Sequence, residues 1–458
     1  MSKKLTKEEL LEKAKKPAKL ALAYHPFYEG KLQVASKCAI RDPGDFAIWY
    51  TPGVAAPCRE IKEKPELVFR HTNKWNNVAV VSDGTRVLGL GDIGPEAGLP
   101  VMEGKALLFK YLGGVDGFPI CLDTKDPDEI ITACRWLQPS FGGINLEDIS
   151  KPKCFYILEK LREELDIPVW HDDQQGTATV ILAGLINALK IVGKRMDEAL
   201  VTMVGVGSAN TRTAIVLILR RAGLKAGNMI MVDSQGILHP NRKDLEAEKE
   251  ENPWKWDFCL KTNAEGRAGG LSEALEGADV CVAASKPGPG TIKQEDVARM
   301  ASDSIVFACA NPIPEIWPWE AKEAGAKIVA TGRSDFENQI NNSLGFPGIF
   351  RGVLDVRAKT VTDDMCIAAA EELASFAEER GIDESDIVPR MDEWEVYPRE
   401  AVACALRSME EGVARLKLSR QELWDRAVAL IKNTRESTKA LMKKGLIKPP
   451  PSEKEVLK

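Results

Sequence analysis

LVTMVGVGSANTRTAIVLILRRAG (200–223) reads as a short apolar strand, a glycine-marked turn and a helix. Gly205 permits the tight turn, and Gly207 lets the backbone approach a pyrophosphate. Ser208, Ala209 and Asn210 open the helix, whose unpaired N–H groups and partial positive charge favour an anion there. A bare G-x-G-x-x pattern is common. A strand before it, a helix after it and Asp233 at the end of the next strand make it informative. The turn is therefore read as a dinucleotide site. Asp233 is placed to accept a hydrogen bond from a ribose 2′-hydroxyl, which favours NAD over NADP, while Ser234 and Arg242 leave room for a 2′-phosphate.

Outward from this turn, the apolar runs LVTMV (200–204), MIMVD (229–233), DVCVAA (279–284), SIVFAC (304–309) and KIVAT (327–331) alternate with helical patterns. That rhythm predicts an α/β, doubly wound Rossmann-type domain over 196–350. The polar, Pro- and Trp-bearing segment 239–257 breaks the rhythm and is expected to be a surface loop or a small excursion. Upstream, residues 1–195 predict a second α/β domain. Its strands are read in VAVVSD, VLGLGD, GFPICLD, GGINLEDI and IPVWHDD, and its helices around 103–112 and in CFYILEKLREEL. Beyond 350 the pattern turns helical, with amphipathic stretches near 363–380, 398–413 and 419–444. The region 351–458 is expected to pack on the other two, ending in a frayed tail, KPPPSEKEVLK.

A chain of 458 residues suits two domains with extensions. Its 62 basic and 68 acidic side chains give a net charge of −6, with no dense basic block, which argues against nucleic acid as a partner. The charged N-terminus MSKKLTKEELLEKAKKPAKLAL is helix-periodic and unlike a signal peptide, and no stretch suits a membrane span. Ten scattered cysteines without a close pair fit reduced thiols in a cytoplasm.

Two acidic pairs carry the chemistry of the first half. Glu147 and Asp148 lie in FGGINLEDIS, and Asp172 and Asp173 lie in IPVWHDDQQGT. Each pair follows a strand-like run and precedes a helix, which places it at a strand's carboxyl end, where open α/β sheets bind ligands. Oxygen donors gathered there suit Mg²⁺ or Mn²⁺ rather than zinc. The same residues also suit helix caps, and spacing alone does not choose between the two.

YTPGVAAPCREI, VVSDGTRVLGLGDIGPEAGLPVMEGKALLFK, FGGINLEDI, IPVWHDDQQGT, FACANPIPEI and ATGRSDFENQINNSLGFPGIFRGVLDVRA together resemble, in order, the signatures of malic enzymes of the short prokaryotic type. The resemblance implies oxidative decarboxylation of malate to pyruvate and CO₂ with NAD or NADP and a divalent metal. It implies Tyr50 as general acid and Lys105 as general base, the lysine being neutral when it accepts the proton. Glu147, Asp148 and Asp173 match metal ligands, and Asp172 matches a neighbour that orients or relays protons. Arg86, Asn311, Asn341 and Asn342 match groups around substrate and nicotinamide, with Lys105 also touching substrate. By analogy the protein is expected to be a homodimer or a higher homo-oligomer. Asn210 departs from the family pattern, standing where the last small residue of the dinucleotide fingerprint is expected. A metal-independent amino-acid dehydrogenase is the nearest rival reading, and a catalytically dead dinucleotide sensor is the other. The acidic cluster speaks against the first, and the intact set of candidate groups against the second.

Overall fold

Two sheets organise the chain in a computed structural model that describes residues 7–220 and 223–457. The first sheet contains β1 (Asn77–Ser82), β2 (Asp116–Cys121), β3 (Gly143–Leu146) and β4 (Val169–His171) in the order β2-β1-β3-β4, all neighbours parallel. Parallel neighbours need crossover connections, and helices Pro95–Gly113, Pro127–Leu137 and Lys153–Glu164 supply them. Val78, Ala79, Val80 and Val81 are all fully buried, as a strand covered on both faces requires. In the register of this sheet, Val81 lies opposite Leu146, and Leu146 opposite His171. The next residues along, Glu147 and Asp172, therefore emerge side by side at the sheet's carboxyl edge. Neighbouring strands sit about 4.8 Å apart.

The expected strand VLGLGD does not form. Leu88 and Gly91 take positive φ values of 47° and 81°, which curls the segment into turns with a single bridge between Val87 and Gly91.

The second sheet contains β5 (Val201–Val204), β6 (Met229–Asp233), β7 (Gly236–Ile237), β8 (Val280–Ala283), β9 (Ile305–Ala308) and β10 (Ile328–Thr331), ordered β10-β9-β8-β5-β6-β7. All five strands read from the sequence are present and mutually parallel. β7 folds back antiparallel on β6. The strand order reverses between β5 and β8, and such a reversal opens a crevice beyond the carboxyl ends of those strands. Segment 239–257 is a small helical excursion: helix Lys243–Ala247 and the first turns of helix Pro253–Lys261 fall in it.

The three C-terminal amphipathic stretches form helices Asp363–Arg380, Val396–Glu410 and Arg420–Lys443. The first packs on helix Asp172–Ile191 and the second on helix Phe346–Asp355, so the helical region shares one continuous core with both sheets. Phe109, Phe346, Phe350 and Trp170 form a fully buried aromatic group within it, with ring centroids 4.6–6.3 Å apart.

The tail is more ordered than expected. It ends in helix Glu453–Val456, Glu453 pairs with Lys16 at 2.6 Å, and the Tyr28 hydroxyl donates to the Lys448 carbonyl at 2.7 Å. Both partners belong to the N-terminal helix Lys7–Tyr28; the first six residues lie outside the described ones. Among the described residues, no helix is long and apolar enough to cross a membrane.

Candidate active site and metal centre

Three elements converge at the carboxyl edge of the first sheet. The loop after β3 brings Glu147 and Asp148, and the start of helix Asp172–Ile191 brings Asp172 and Asp173. Helix Pro95–Gly113 turns Lys105 toward them. Lys105 Nζ donates to Asp172 Oδ2 and lies 3.1 Å from Glu147 Oε1. The ring of Phe346 covers the ammonium at 4.2 Å, excluding water from that side. Trp170 Nε1 donates to the other Asp172 oxygen at 3.0 Å, and Asn145 Nδ2 to Glu147 Oε2 at 2.9 Å. Each carboxylate is thus held by a buried side chain that nothing in the sequence marks as part of a site.

Among the described residues, one set of His, Cys, Asp and Glu side chains has the spacing of a metal site. Single oxygens of Glu147, Asp148 and Asp173 lie within 4.8 Å of one another. Asp148 takes a left-handed φ of 55°, which lets its backbone N–H donate to Asp173 Oδ2 at 2.8 Å. Its carbonyl accepts from the Arg86 N–H at 2.9 Å, and its Oδ1 accepts from the Leu88 N–H at 3.3 Å. Asp148 Oδ2 is buried and has no hydrogen-bond partner. A buried, orphaned carboxylate oxygen facing two other carboxylates is costly unless a cation fills the gap. An all-oxygen donor set suits a hard divalent ion.

The electrostatics agree. Burial, followed by repulsion among the acids, raises Glu147 well above the ordinary carboxylate range and Asp148 to about 8; burial also raises Asp173. Asp172 is raised by burial despite its contact with Lys105. His171, fully buried with neither ring nitrogen hydrogen-bonded among the described residues and Nδ1 3.8 Å from Asp173 Oδ2, is pushed down to about 4 by burial and is a neutral neighbour.

Lys105 sits in a strongly negative field. Burial works against its charge, but Asp172 and Glu147 outweigh burial and hold the ammonium above its ordinary value. Without a cation beside it, this lysine is protonated rather than neutral.

The nucleotide turn lies at the reversal point of the second sheet. Gly205 has a φ of 91°, and a Cβ on it would lie 2.9 Å from the Ala284 carbonyl, so only glycine fits. Around Gly207, which caps helix Ser208–Leu219, a Cβ would meet nothing within 4 Å; the helix N-terminus with Ser208 and Ala209 is open to a ligand. Asn210 is turned away from that opening: it is fully buried, and its Nδ2 donates to the carbonyls of Val204 and Gly205, each at 2.8 Å. It braces the turn from within, which is how a larger residue is accommodated there. Asp233 is not a free acceptor. Arg242 contacts it at 3.2 Å and Lys255 at 2.5 Å, both cations coming from the 239–257 excursion and its helix. Lys151, from the first domain, reaches across to the Val206 carbonyl at 2.7 Å.

The asparagines bridge the two halves. A Cβ on Gly332 would lie 2.6 Å from Asn311 Nδ2, and the Gly332 carbonyl accepts from Asn341 Nδ2 at 2.9 Å, so these two share one glycine. A Cβ on Gly176 would collide with the Asp172 carboxylate and crowd Asn342 Cβ at 3.1 Å, which places Asn342 beside the Lys105 cluster. Glu315, missed in the sequence, ties two loops of this cleft together: it accepts from the N–H groups of Ser285 at 2.8 Å and Ala310 at 3.0 Å. Two residues stand apart. Arg86 is exposed and donates to the Leu88 carbonyl at 2.5 Å, although its charge still lowers Asp148 and Asp173. Tyr50 is 72% exposed, and among the described residues no hydrogen bond joins its side chain to the Lys105 cluster.

Comparison with known proteins adds an independent line. Residues 29–162 match the family model for the malic enzyme N-terminal domain, and residues 174–408 match that for the malic enzyme NAD-binding domain. An NAD-dependent malic enzyme of Geobacillus stearothermophilus is 50% identical over 386 residues, 84% of this chain and 78% of the relative. An NADP-dependent malic enzyme of Halomonas elongata is 41% identical over 411 residues, 86% of this chain and 94% of the relative. The crystal structure of the Entamoeba histolytica malic enzyme superposes with a TM-score of 0.96 at 46% identity, covering 100% of this chain and 95% of that one. Two family models matched in this order, and relatives matched along 84–100% of the chain, leave one conclusion: the chain belongs to the malic enzyme family.

Proposed function

We propose that this protein oxidises and decarboxylates L-malate to pyruvate and CO₂ with NAD or NADP and a divalent metal, using Lys105 as general base and Tyr50 as general acid. One observation carries the reading: Lys105 bridges Asp172 and Glu147 directly beside the three-carboxylate set. The division into 1–195, 196–350 and 351–458 belongs to the same reading, with substrate and metal on the first part and cofactor on the second.

A divalent cation held by Glu147, Asp148 and Asp173 would supply Lewis-acid polarisation of substrate oxygens and would offset the negative field that now keeps Lys105 protonated. A nicotinamide dinucleotide seated on the turn from Gly205 to Ala209 would supply the hydride acceptor. The chain's own groups do the rest. Lys105, once neutral, accepts the C2 hydroxyl proton, and Asp172 receives part of that charge because the two side chains are in contact. Trp170 fixes the Asp172 oxygen that does not face the lysine. Phe346 excludes water from the proton path. Asn311, Asn341 and Asn342 orient substrate and nicotinamide, and Arg86 swings from the Leu88 carbonyl to hold a carboxylate. Tyr50 protonates C3 after CO₂ leaves. Its assignment rests on the WYTPG motif, and its exposure requires that its loop close or that a second subunit present it.

A homodimer fits that requirement, since Phe46, Ile48 and Trp49 beside Tyr50 are also exposed. Ten free cysteines, most of them buried or partly buried, support a reducing compartment, the cytoplasm. Asp233 at the end of β6 leans toward NAD, and its two cationic partners keep NADP within reach. Malate oxidation assayed with each nicotinamide, with Mn²⁺ and with EDTA, tests the whole reading. Reduced cofactor and CO₂ that appear together and vanish with the chelator are expected; neither product with any combination defeats it.

A further inference from the structure

A second cavity, of about 470 Å³, lies well away from the catalytic cluster and is walled by Phe69, Arg70, Trp75, Asp355, Arg357 and Arg426. Helix Phe346–Asp355 separates the two: its first residue covers Lys105, and its last faces this cavity, roughly 14 Å further along at 1.5 Å per residue.

The cavity holds more positive charge than the protein neutralises. Asp355 is its one acidic wall, and that carboxylate is fully engaged: Arg351 donates at 2.8 and 3.1 Å and Arg426 at 2.6 Å. Arg351 is spent, being fully buried and also bonded to Asn76 at 2.6 Å. Among the described residues, no hydrogen bond or ion pair engages the guanidinium of Arg70 or Arg357. Four guanidinium groups against one carboxylate leave an excess of three charges. Lys37 and Lys74 lie outside the lining, over the faces of Trp75 and Phe69, and Asp116 offsets the charge of the first. Burial lowers the Arg357 pKa, and the neighbouring Arg426 and Arg415 add to that direction.

Arg357 sits just past the carboxyl end of helix Phe346–Asp355, at a left-handed φ of 50°. Attraction to that helix end is the plain explanation for a cation there. The helix end carries only about half a negative charge, so it offsets a fraction of one of the three. The aromatic faces further restrict what fits. Arg357 lies over Phe69 at 5.0 Å, and Arg426 over Trp75 at 4.9 Å, so neither ring is free to stack a base.

We propose that this cavity binds a compact anion of two or three charges, a carboxylate or phosphate compound without an aromatic group, through the guanidinium forks of Arg70, Arg357 and Arg426. Planar forks suit either oxyanion bidentately. The site is independent of the malate chemistry and stands or falls separately.

Calorimetric titration of the full chain with inorganic pyrophosphate and, separately, with propane-1,2,3-tricarboxylate tests it. NAD is kept saturating so that the nucleotide turn is filled, metal is absent, and ionic strength is held at about 0.15 M. Binding of either probe is expected, and which one binds identifies the chemistry. Arg357→Gln and Arg426→Gln should each weaken it by about tenfold, the loss of one charge-assisted contact. Both variants keep the Asp355–Arg351 pair, and circular dichroism checks their fold. Should either misfold, Arg70→Gln, at an exposed residue whose guanidinium has no partner among the described residues, decides instead. No binding tighter than about 1 mM, or equal binding by wild type and variants, overturns the proposal.

Discussion

Stripping divalent metal from this protein should make its stability fall as pH rises, and Asp148 sets the size of the effect. Burial first, and then Asp173, lift the Asp148 carboxyl from 3.8 to about 8. A folded-state value above the unfolded one means that folding takes up a proton. The resulting stability is fully present below pH 3.8, where both states are protonated, and is lost as pH climbs toward the folded value. Each pH unit across that interval is worth about 1.4 kcal/mol. The metal-free fold therefore lacks on the order of 5 kcal/mol by about pH 8.5 that it has near pH 4. Glu147 and Asp173 shift in the same direction and steepen the trend. His171, pushed down to about 4, opposes it below about pH 6.5 with or without metal, so the metal-free and metal-loaded curves must be compared. At roughly 2 °C per kcal/mol for a long chain, the melting temperature should drop by about 10 °C. Scanning calorimetry between about pH 5 and 8.5, in EDTA and in saturating Mn²⁺, reads the difference directly. The two curves should nearly coincide at the acidic end, where protons occupy the carboxylates, and separate progressively above it. Asp148→Asn should shrink the separation. Parallel curves, with a gap independent of pH, would refute the view that these carboxyls share one electrostatic field.

Lys105→Ala should cut malate oxidation by at least about a hundredfold, the low end for loss of a general base, with NAD binding by fluorescence unchanged; turnover within tenfold of wild type would assign the base elsewhere. Asp173→Ala should abolish the response of activity to Mn²⁺ while keeping cofactor affinity, and a normal metal response would remove Asp173 from the ligand set. Tyr50→Phe should slow pyruvate formation more than reduction of the nicotinamide, measured as product ratio, and an unchanged ratio would give the acid role to another group. Arg351→Met breaks a buried pair and should cost about 3–5 kcal/mol in urea unfolding; a loss below about 1 kcal/mol would mean that Asp355 is satisfied by Arg426 alone.

The strands of the nucleotide domain were legible because parallel strands covered on both faces read as nearly unbroken apolar runs, as in MIMVD and SIVFAC. VLGLGD carries the same letters yet coils, because Leu88 and Gly91 take positive φ, which composition does not announce. β7 is two residues long, too short for any pattern. The acidic pairs could be placed at strand ends, but their convergence depends on the pairing of Val81, Leu146 and His171 across three strands. Lys105 was visible only through its motif, and the field around it was not legible because that depends on Asp172 and Glu147, both far away along the chain. Arg242 could be noted as leaving room for a 2′-phosphate, but its pairing with Asp233, where Lys255 joins it, depends on how the 239–257 excursion folds back. Trp170, Phe346, Asn145 and Glu315 act by holding other groups in place, a role that leaves no local mark in a sequence.

The left-handed backbone at Asp148 also has an evolutionary consequence. Such a conformation costs most side chains roughly 1–2 kcal/mol, and Asn and Asp bear it best among residues with a Cβ. A lineage losing the charge at this position would therefore drift most easily through asparagine, keeping the bend. Alanine would forfeit both, and glycine would keep the bend at the expense of a looser unfolded chain. Position 148 is thus restricted first of all by the chain's own geometry.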